Sequence, residues 1–167
     1  MDRGYALFKT ALGACGIAWG PRGITAVELS EASDRLPIAL KPPRWVERVI
    51  QKVRRHLAGK PQDLSDVRLD LDGVPPFHRR VYRVARAVGP GRTVTYGALA
   101  AQAGSPGASR AVGQAMARNP FLLVVPCHRV LGSGHELVGF SARGGCATKA
   151  RLLALEGLEM EGKLPSR

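Results

Sequence analysis

Between residues 5 and 30 the chain reads "YALFKTALGACGIAWGPRGITAVELS", two β-type runs on either side of "GPRG", a Pro-Gly cluster of the kind that closes a hairpin. The pattern predicts an antiparallel meander. After Pro43 the apolar period lengthens. Trp45, Val46, Val49, Ile50, Val53 and Leu57 recur at helical spacing with basic side chains between them, and Gly59 supplies the stop. This predicts an amphipathic helix lying on the sheet. "VRLDLDG" alternates again and predicts one more strand, and "VPP" marks a boundary near residue 75. Residues 1–75 thus read as an N-terminal α/β unit.

Residues 76–167 read as a second unit, mainly helical. "PFHRRVYRVARAVG" places Phe77, Val81, Val84 and Val88 on one face and its arginines elsewhere. After a "GPGRTVTY" turn come "YGALAAQAG", a break at "SPG", and "ASRAVGQAMARN", which together predict a helix-turn-helix. The second of these helices is thin: Ala108, Ser109, Ala111, Gly113, Ala115 and Ala117 carry little bulk, while Arg110 and Arg118 project from it. Such a helix can approach another surface closely, or pack inside the protein. The next stretch, "FLLVVP", predicts a buried strand. A last helix carries Leu152, Leu153 and Leu155 with Glu156 beside them. The fold class is therefore α/β in the α+β sense: a small antiparallel sheet with one helix, followed by a helical part containing the helix-turn-helix.

Composition narrows the function. Hydrophobic residues make up 45% of the 167 and charged residues 23%, a globular balance, and "FLLVVP" is far too short to span a bilayer. The opening "MDRGYALFKT" lacks the parts of a secretory signal, so a cytoplasmic location without membrane association is expected. Against 25 Lys plus Arg stand 13 Asp plus Glu, a net charge of +12 carried mostly by arginine. A polyanionic partner is the natural inference, because guanidinium forks match phosphate oxygens. An arginine-biased surface that binds nothing is the alternative reading of the same count.

The candidate chemistry centres on "PCHRV", residues 126–130. Three cysteines without repeated spacing make no disulfide framework, and Cys127, His128, His135 and Cys146 lack the paired short spacings of a structural zinc site. Packing is the common fate of a cysteine, but here an apolar run ends in a proline and then in Cys-His-Arg. A polar, basic setting of that kind can lower a thiol pKa. Adjacent residues of an extended segment point to opposite sides, so His128 needs a local kink or a bridging water to serve Cys127. An acid is also needed to hold the histidine's tautomer, and Glu156 is the local candidate.

These motifs, from "PPFHRRVYRVARAVGPGRTVTYGALAAQAG" through "PCHRV" to "KARLLALEG", resemble the active-site half of the O6-alkylguanine-DNA alkyltransferases, also called methylated-DNA–protein-cysteine methyltransferases. The resemblance implies direct reversal of damage. A damaged guanine is flipped from the duplex and a cysteine thiolate takes the alkyl group from its O6 in a single, unregenerated turnover. Carried over by position, it implies Cys127 as acceptor, His128 as its base through a water, Glu156 orienting His128, and Asn119 joining the recognition helix to the active-site turn. It further implies Tyr96 as the residue that rotates the nucleotide and hydrogen-bonds the leaving guanine, and Arg110 as the side chain filling the gap in the base stack. Double-stranded DNA containing O6-alkylguanine, and more slowly O4-alkylthymine, is the implied substrate, met by a monomer that needs no cofactor and no metal.

Several positions depart from the family pattern. "GFSARGG" replaces a compact Gly-Tyr-small-Gly-Gly loop, with Phe140 for tyrosine, a two-residue insertion, and Ser141 at a displaced position. Phe140 and Ser141 are the implied wall of the alkyl pocket. Tyr82 and His78 stand where Trp and Gln are common, and the cysteines of an N-terminal zinc site are not matched. Two other functions fit parts of the pattern. A non-reactive sensor of alkylated DNA would replace the acceptor cysteine, and a transcription regulator would carry larger base-reading side chains than this alanine-rich helix offers.

Overall fold

The computed structural model describes residues 3–29, 41–140, 142 and 144–160. The chain opens with three antiparallel strands, β1 (Gly4–Thr10), β2 (Gly13–Gly20) and β3 (Gly23–Leu29), in the order β1-β2-β3. This is the predicted meander, with "GPRG" at its second turn. Cross-strand partners Phe8 and Cys15, and Ile17 and Val27, are buried and direct one face of the sheet to the core. Gly23 has a φ of 142°, and a side chain there would meet the carbonyl of Arg68. Glycine at this place lets the later segment lie flat against the sheet.

That later segment is not the strand its alternation predicts. Only Leu69 pairs, in a parallel bridge to Ile24, with Ile24 N donating to Arg68 O (2.9 Å) and Asp70 N to Ile24 O (2.8 Å). The cause is local: the Asp70 carboxylate accepts from the amide of Asp72 at 3.0 Å and turns the chain before the ladder can extend. Helix α1 (Arg44–Leu57) agrees with its predicted span and buries Val46, Val49, Ile50, Val53, His56 and Leu57. Each aliphatic side chain of that stripe contributes on the order of 1.5–3 kcal/mol by leaving water. The helix touches β1 and also the last helix of the chain.

The second half begins with α2 (Pro76–Ala85), whose first-turn proline needs no amide partner. A two-residue strand, β4 (Val94–Thr95), leads into α3 (Tyr96–Gln102), capped by Thr95 Oγ1, which accepts from Ala98 N at 3.1 Å. Helix α4 (Ser109–Ala117) completes the helix-turn-helix. Val112, Ala115 and Met116 point inward, and Arg110, Gln114, Ala117 and Arg118 are exposed.

Residues 121–125 correct a second expectation. They are buried but form no strand: Phe121 makes one bridge to Val27, and Leu123 adopts a φ of 67°, which folds the run back on itself. Val124 N donates to Leu122 O and Val125 N to Phe121 O, so these two amides, which a strand would pair outward, are satisfied within the turn. A short 3₁₀ turn, Cys127–Arg129, follows, then β5 (Val130–Leu131), parallel to β4. Helix α5 (Gly145–Leu155) starts from Gly144, whose φ of 88° favours glycine. One continuous apolar core runs from Phe8 and Ile17 through Val53, Val81, Leu99 and Val112 to Leu152, with a satellite of Leu131, Leu137 and Leu153. Among the described residues no helix is long and apolar enough to cross a membrane.

Candidate active site

Asn119 sets the place of the cysteine. Its Oδ1 accepts from Phe121 N at 2.9 Å and its Nδ2 donates to Val125 O at 2.9 Å, which pins both ends of the apolar turn. Two further bonds, Val27 N to Pro120 O (2.8 Å) and Leu122 N to Val27 O (3.0 Å), fasten the same turn to β3. Pro126 then ends the run and the chain kinks into the 3₁₀ turn that carries Cys127, His128 and Arg129, all buried. This kink answers the difficulty of adjacent residues facing apart: the turn sends His128 into the protein while Cys127 borders a cavity.

Behind the cysteine lies a buried polar cluster built on Glu156, the residue that ends α5. Arg129 grips its carboxylate with two bonds, Nε to Oε1 at 2.8 Å and the terminal nitrogen to Oε2 at 2.6 Å, while its other terminal nitrogen donates to Val88 O at 2.7 Å. His128 Nε2 lies 2.9 Å and His56 Nε2 2.8 Å from Oε2. Burial alone would push the Glu156 carboxyl up, but the bonds from Arg129, His128 and His56 overcome it and hold the group well below the usual carboxylate range. Burial pushes His128 below its ordinary value, against the upward pull of Glu156, so the ring is neutral near pH 7. Its Nε2 hydrogen is directed at Glu156, and Nδ1 has no hydrogen-bond partner among the described groups. A histidine so held has one basic lone pair to offer.

The thiol itself departs from expectation. Burial pushes Cys127 up rather than down, because apolar walls disfavour the thiolate; the Asn119 side chain and the Lys149 ammonium pull the other way without overcoming it. The cysteine is a thiol in the free protein, and a base must take its proton.

Cys127 borders a cavity of about 440 Å³ lined by Tyr96, Met116, Val138, Gly139 and Phe140, with Gly113 and Ala117 of α4 at its edge. Tyr96, the first residue of α3, lies with its hydroxyl 3.4 Å from the carbonyls of both Val138 and Gly139. Burial and the nearby thiols push its pKa up to about 12, so it remains a hydrogen donor. Phe140 is half-buried on the wall of this cavity, whereas Ser141 lies outside the described residues. Arg110 stands apart from the cavity, exposed near the start of α4. Tyr82 is buried behind α4, donating to Ala115 O at 2.7 Å and packed edge-on against Phe121, with the His78 ring beside it.

Three residues of the site were not singled out from the sequence. Lys149 is fully buried, donates to Val138 O at 2.9 Å and to Gly139 O at 3.3 Å, and lies over the Tyr96 ring at 5.7 Å. Burial lowers its pKa to about 8. A lysine three residues before Leu152, on the apolar side of the helix, was the available signal. His56 gave a similar one, falling on the Val49–Val53–Leu57 stripe of α1. Arg129 gave none beyond its position in the motif. His56, His128 and Glu156 bring ligand-capable atoms within 4.8 Å of one another. The Arg129 guanidinium already occupies that carboxylate, however, and a cation there would compete with it.

Known proteins resemble this chain in sequence and in fold. Residues 76–158 match the family model described as the DNA-binding domain of 6-O-methylguanine DNA methyltransferase. The chain is 37% identical over 148 residues to the methylated-DNA–protein-cysteine methyltransferase of Methanothermobacter thermautotrophicus, covering 89% of this chain and 82% of that one. It is 33% identical to the Methanosarcina acetivorans protein of the same name, covering 92% and 97%. Among solved structures, Mycobacterium tuberculosis OGT in complex with DNA is similar with a TM-score of 0.75 at 33% identity, covering 91% of each chain. The Pyrococcus kodakaraensis O6-methylguanine-DNA methyltransferase gives 0.68 at 25% identity, covering 92% and 98%. The chain belongs to the methylated-DNA–protein-cysteine methyltransferase family.

Proposed function

We propose that Cys127 is the acceptor through which this protein carries out its family's reaction. The protein repairs alkylated DNA by moving an alkyl group onto one of its own cysteines. The observation that carries the residue assignment is the placement of Cys127 between a cavity of about 440 Å³, bounded by Tyr96 and Phe140, and a buried His128–Glu156 pair.

The substrate is O6-alkylguanine in duplex DNA, with O4-alkylthymine a slower one. Extruding the base costs a few kcal/mol, which Arg110 offsets by occupying the vacated stack while the small residues of α4 let the helix approach the minor groove. The Cys127 proton passes through a water to His128 Nδ1, and Glu156 stabilises the imidazolium that results. The thiolate sulfur then attacks the alkyl carbon in line, forming the S–C bond as the C–O6 bond breaks. The electron pair departs on guanine, where the Tyr96 hydroxyl donates to the growing charge. A proton returning from His128 to guanine through solvent closes the balance. The thioether persists, so each monomer acts once, without a cofactor, in the cytoplasm.

Mass spectrometry of the tryptic peptide "NPFLLVVPCHR", after mixing the protein with duplex DNA carrying one O6-methylguanine, tests the assignment. One methyl on Cys127, saturating at one per protein and absent in Cys127→Ser, is the expected result. Methylation elsewhere would reassign the acceptor, and tight lesion binding with an unmodified peptide would favour the damage-sensing alternative.

A further inference from the structure

We propose that His56, from the N-terminal helix α1, is a positioning residue of the transfer site: it holds Glu156 and sets how much of that carboxylate's charge reaches His128. The proposal rests on the alkyl-transfer reading above.

The argument begins with the tautomer. His56 Nδ1 accepts the backbone N–H of Gln62 at 3.0 Å. A neutral imidazole that accepts at one nitrogen carries its hydrogen on the other, so Nε2 donates to Glu156 Oε2 at 2.8 Å. The amide is fixed in turn by chain geometry, following Pro61 directly. His56 is 1% exposed, and its ring is the buried polar interruption in the aliphatic stripe of α1. Aliphatic packing would be the cheaper occupant of that place unless the ring met a partner.

The partner it meets is crowded. Among the described residues, Oε2 of Glu156 receives His56, His128 and one nitrogen of Arg129, whereas Oε1 receives Arg129 alone. An oxygen with about two lone pairs, shared among three donors, gives each less than it would give one. His56 and His128 therefore draw on the same charge. Removing the His56 donor returns negative charge to the His128 bond, strengthens the imidazolium, and raises the pH at which His128 stops serving as a base. It also frees the carboxylate to rotate away from the geometry that keeps the His128 hydrogen on Nε2.

Among the described residues, the charged and titratable groups facing this cluster are few. Arg129 comes from the 3₁₀ turn and Glu156 from the end of α5; around Cys127 stand Lys149 of α5, Tyr96 of α3 and Tyr82 of α2. None of these comes from the N-terminal unit. His56 is thus the side chain by which α1 enters the chemistry.

The test is the pH dependence of the single-turnover transfer rate, with O6-methylguanine in duplex DNA as substrate, for the wild type, His56→Leu and His56→Gln. The wild type methylating Cys127 is the control for the underlying reading; if it fails, that reading fails before His56 is in question. In His56→Leu the acid limb should move up by about one pH unit and the rate at neutral pH should fall several-fold. His56→Gln keeps an N–H at similar reach and should retain the limb and most of the rate. A folded Leu variant with an unmoved limb overturns the proposal, as does a Gln variant shifted as far as the Leu variant. A measurement on the unaltered protein decides the matter even where the Leu variant does not fold. Long-range ¹H–¹⁵N spectra should show His56 as the Nε2–H tautomer, with its resonances moving at the midpoint of His128. A His56 ring indifferent to the His128 titration would overturn the proposal equally.

Discussion

Breaking the Arg129–Glu156 pair from one side should cost more than removing it whole. The Glu156 side chain is 0% exposed and that of Arg129 6%, with contacts of 2.6 and 2.8 Å between them. Glu156→Gln leaves the guanidinium buried without its counter-charge, and Arg129→Met leaves the carboxylate with the two histidines alone. A pair so buried typically costs about 3–5 kcal/mol when one partner is lost. For a chain of this size each kcal/mol lowers the melting temperature by roughly 2–4 °C, so each single variant should melt roughly 6–20 °C below the wild type. The double variant, Arg129→Met with Glu156→Leu, buries no lone charge. It should be more stable than the sum of the single losses by about 2 kcal/mol or more. The sign of the pH effect follows from the depressed carboxyl. Its stabilisation is present above the unfolded value of about 4.3 and is lost progressively as pH falls from there through the much lower folded value. The gap between wild type and Glu156→Gln should therefore hold from neutrality to about pH 4 and narrow below it. Differential scanning calorimetry across that range is the assay. Single variants melting within about 2 °C of the wild type, or losses that simply add in the double, would refute the reasoning.

Other expectations concern function. Arg110→Ala should slow repair of duplex DNA by about tenfold or more while leaving reaction with free O6-benzylguanine within about twofold, as rate constants on the two substrates would show; equal losses would remove its part in extrusion. The wild-type pH profile should be bell-shaped. The acid limb lies below the ordinary histidine value, because burial lowers His128, and the basic limb lies near 8, where Lys149 loses the charge that favours the thiolate. In Lys149→Met the basic limb should vanish. Asn119→Ala removes two bonds of the acceptor turn, and should cost about 1–3 kcal/mol of stability and lower transfer with both substrates alike.

Periodicity carried much of the fold. The meander, α1 and the helix-turn-helix were legible because each has one buried face, and burial on one face leaves a period in the sequence. Residues 121–125 were not, since an apolar run buried on all sides has no period to distinguish a strand from a packed turn. Asn119 determined the outcome there by claiming Phe121 N and Val125 O, a local side-chain competition that composition does not reveal. Of the site, Cys127, His128 and Glu156 could be read from the motif and the chemistry it requires, while Ser141 lies outside the described residues. His56 and Lys149 could not be paired in advance. Each shows only as a polar interruption of an apolar stripe, and the partner that explains His56 lies 100 residues further along the chain. The direction of the Cys127 shift was missed for a related reason: basic neighbours in sequence suggest a lowered pKa, but the apolar walls come from elements distant in sequence.

The bonds from Val27 to Pro120 and Leu122 have a consequence for how the molecule comes into being. The turn that presents the thiol relies on β3, which precedes it in the chain, and its acid and its lysine are carried by α5, which follows it. Contacts of such long sequence separation form late in folding, after the costly closure of large loops. A nascent chain that ends soon after the cysteine therefore still lacks its relay. On the proposed mechanism, reactivity arrives only once α5 has packed against the turn, and a protein that reacts once is spared from being spent before then.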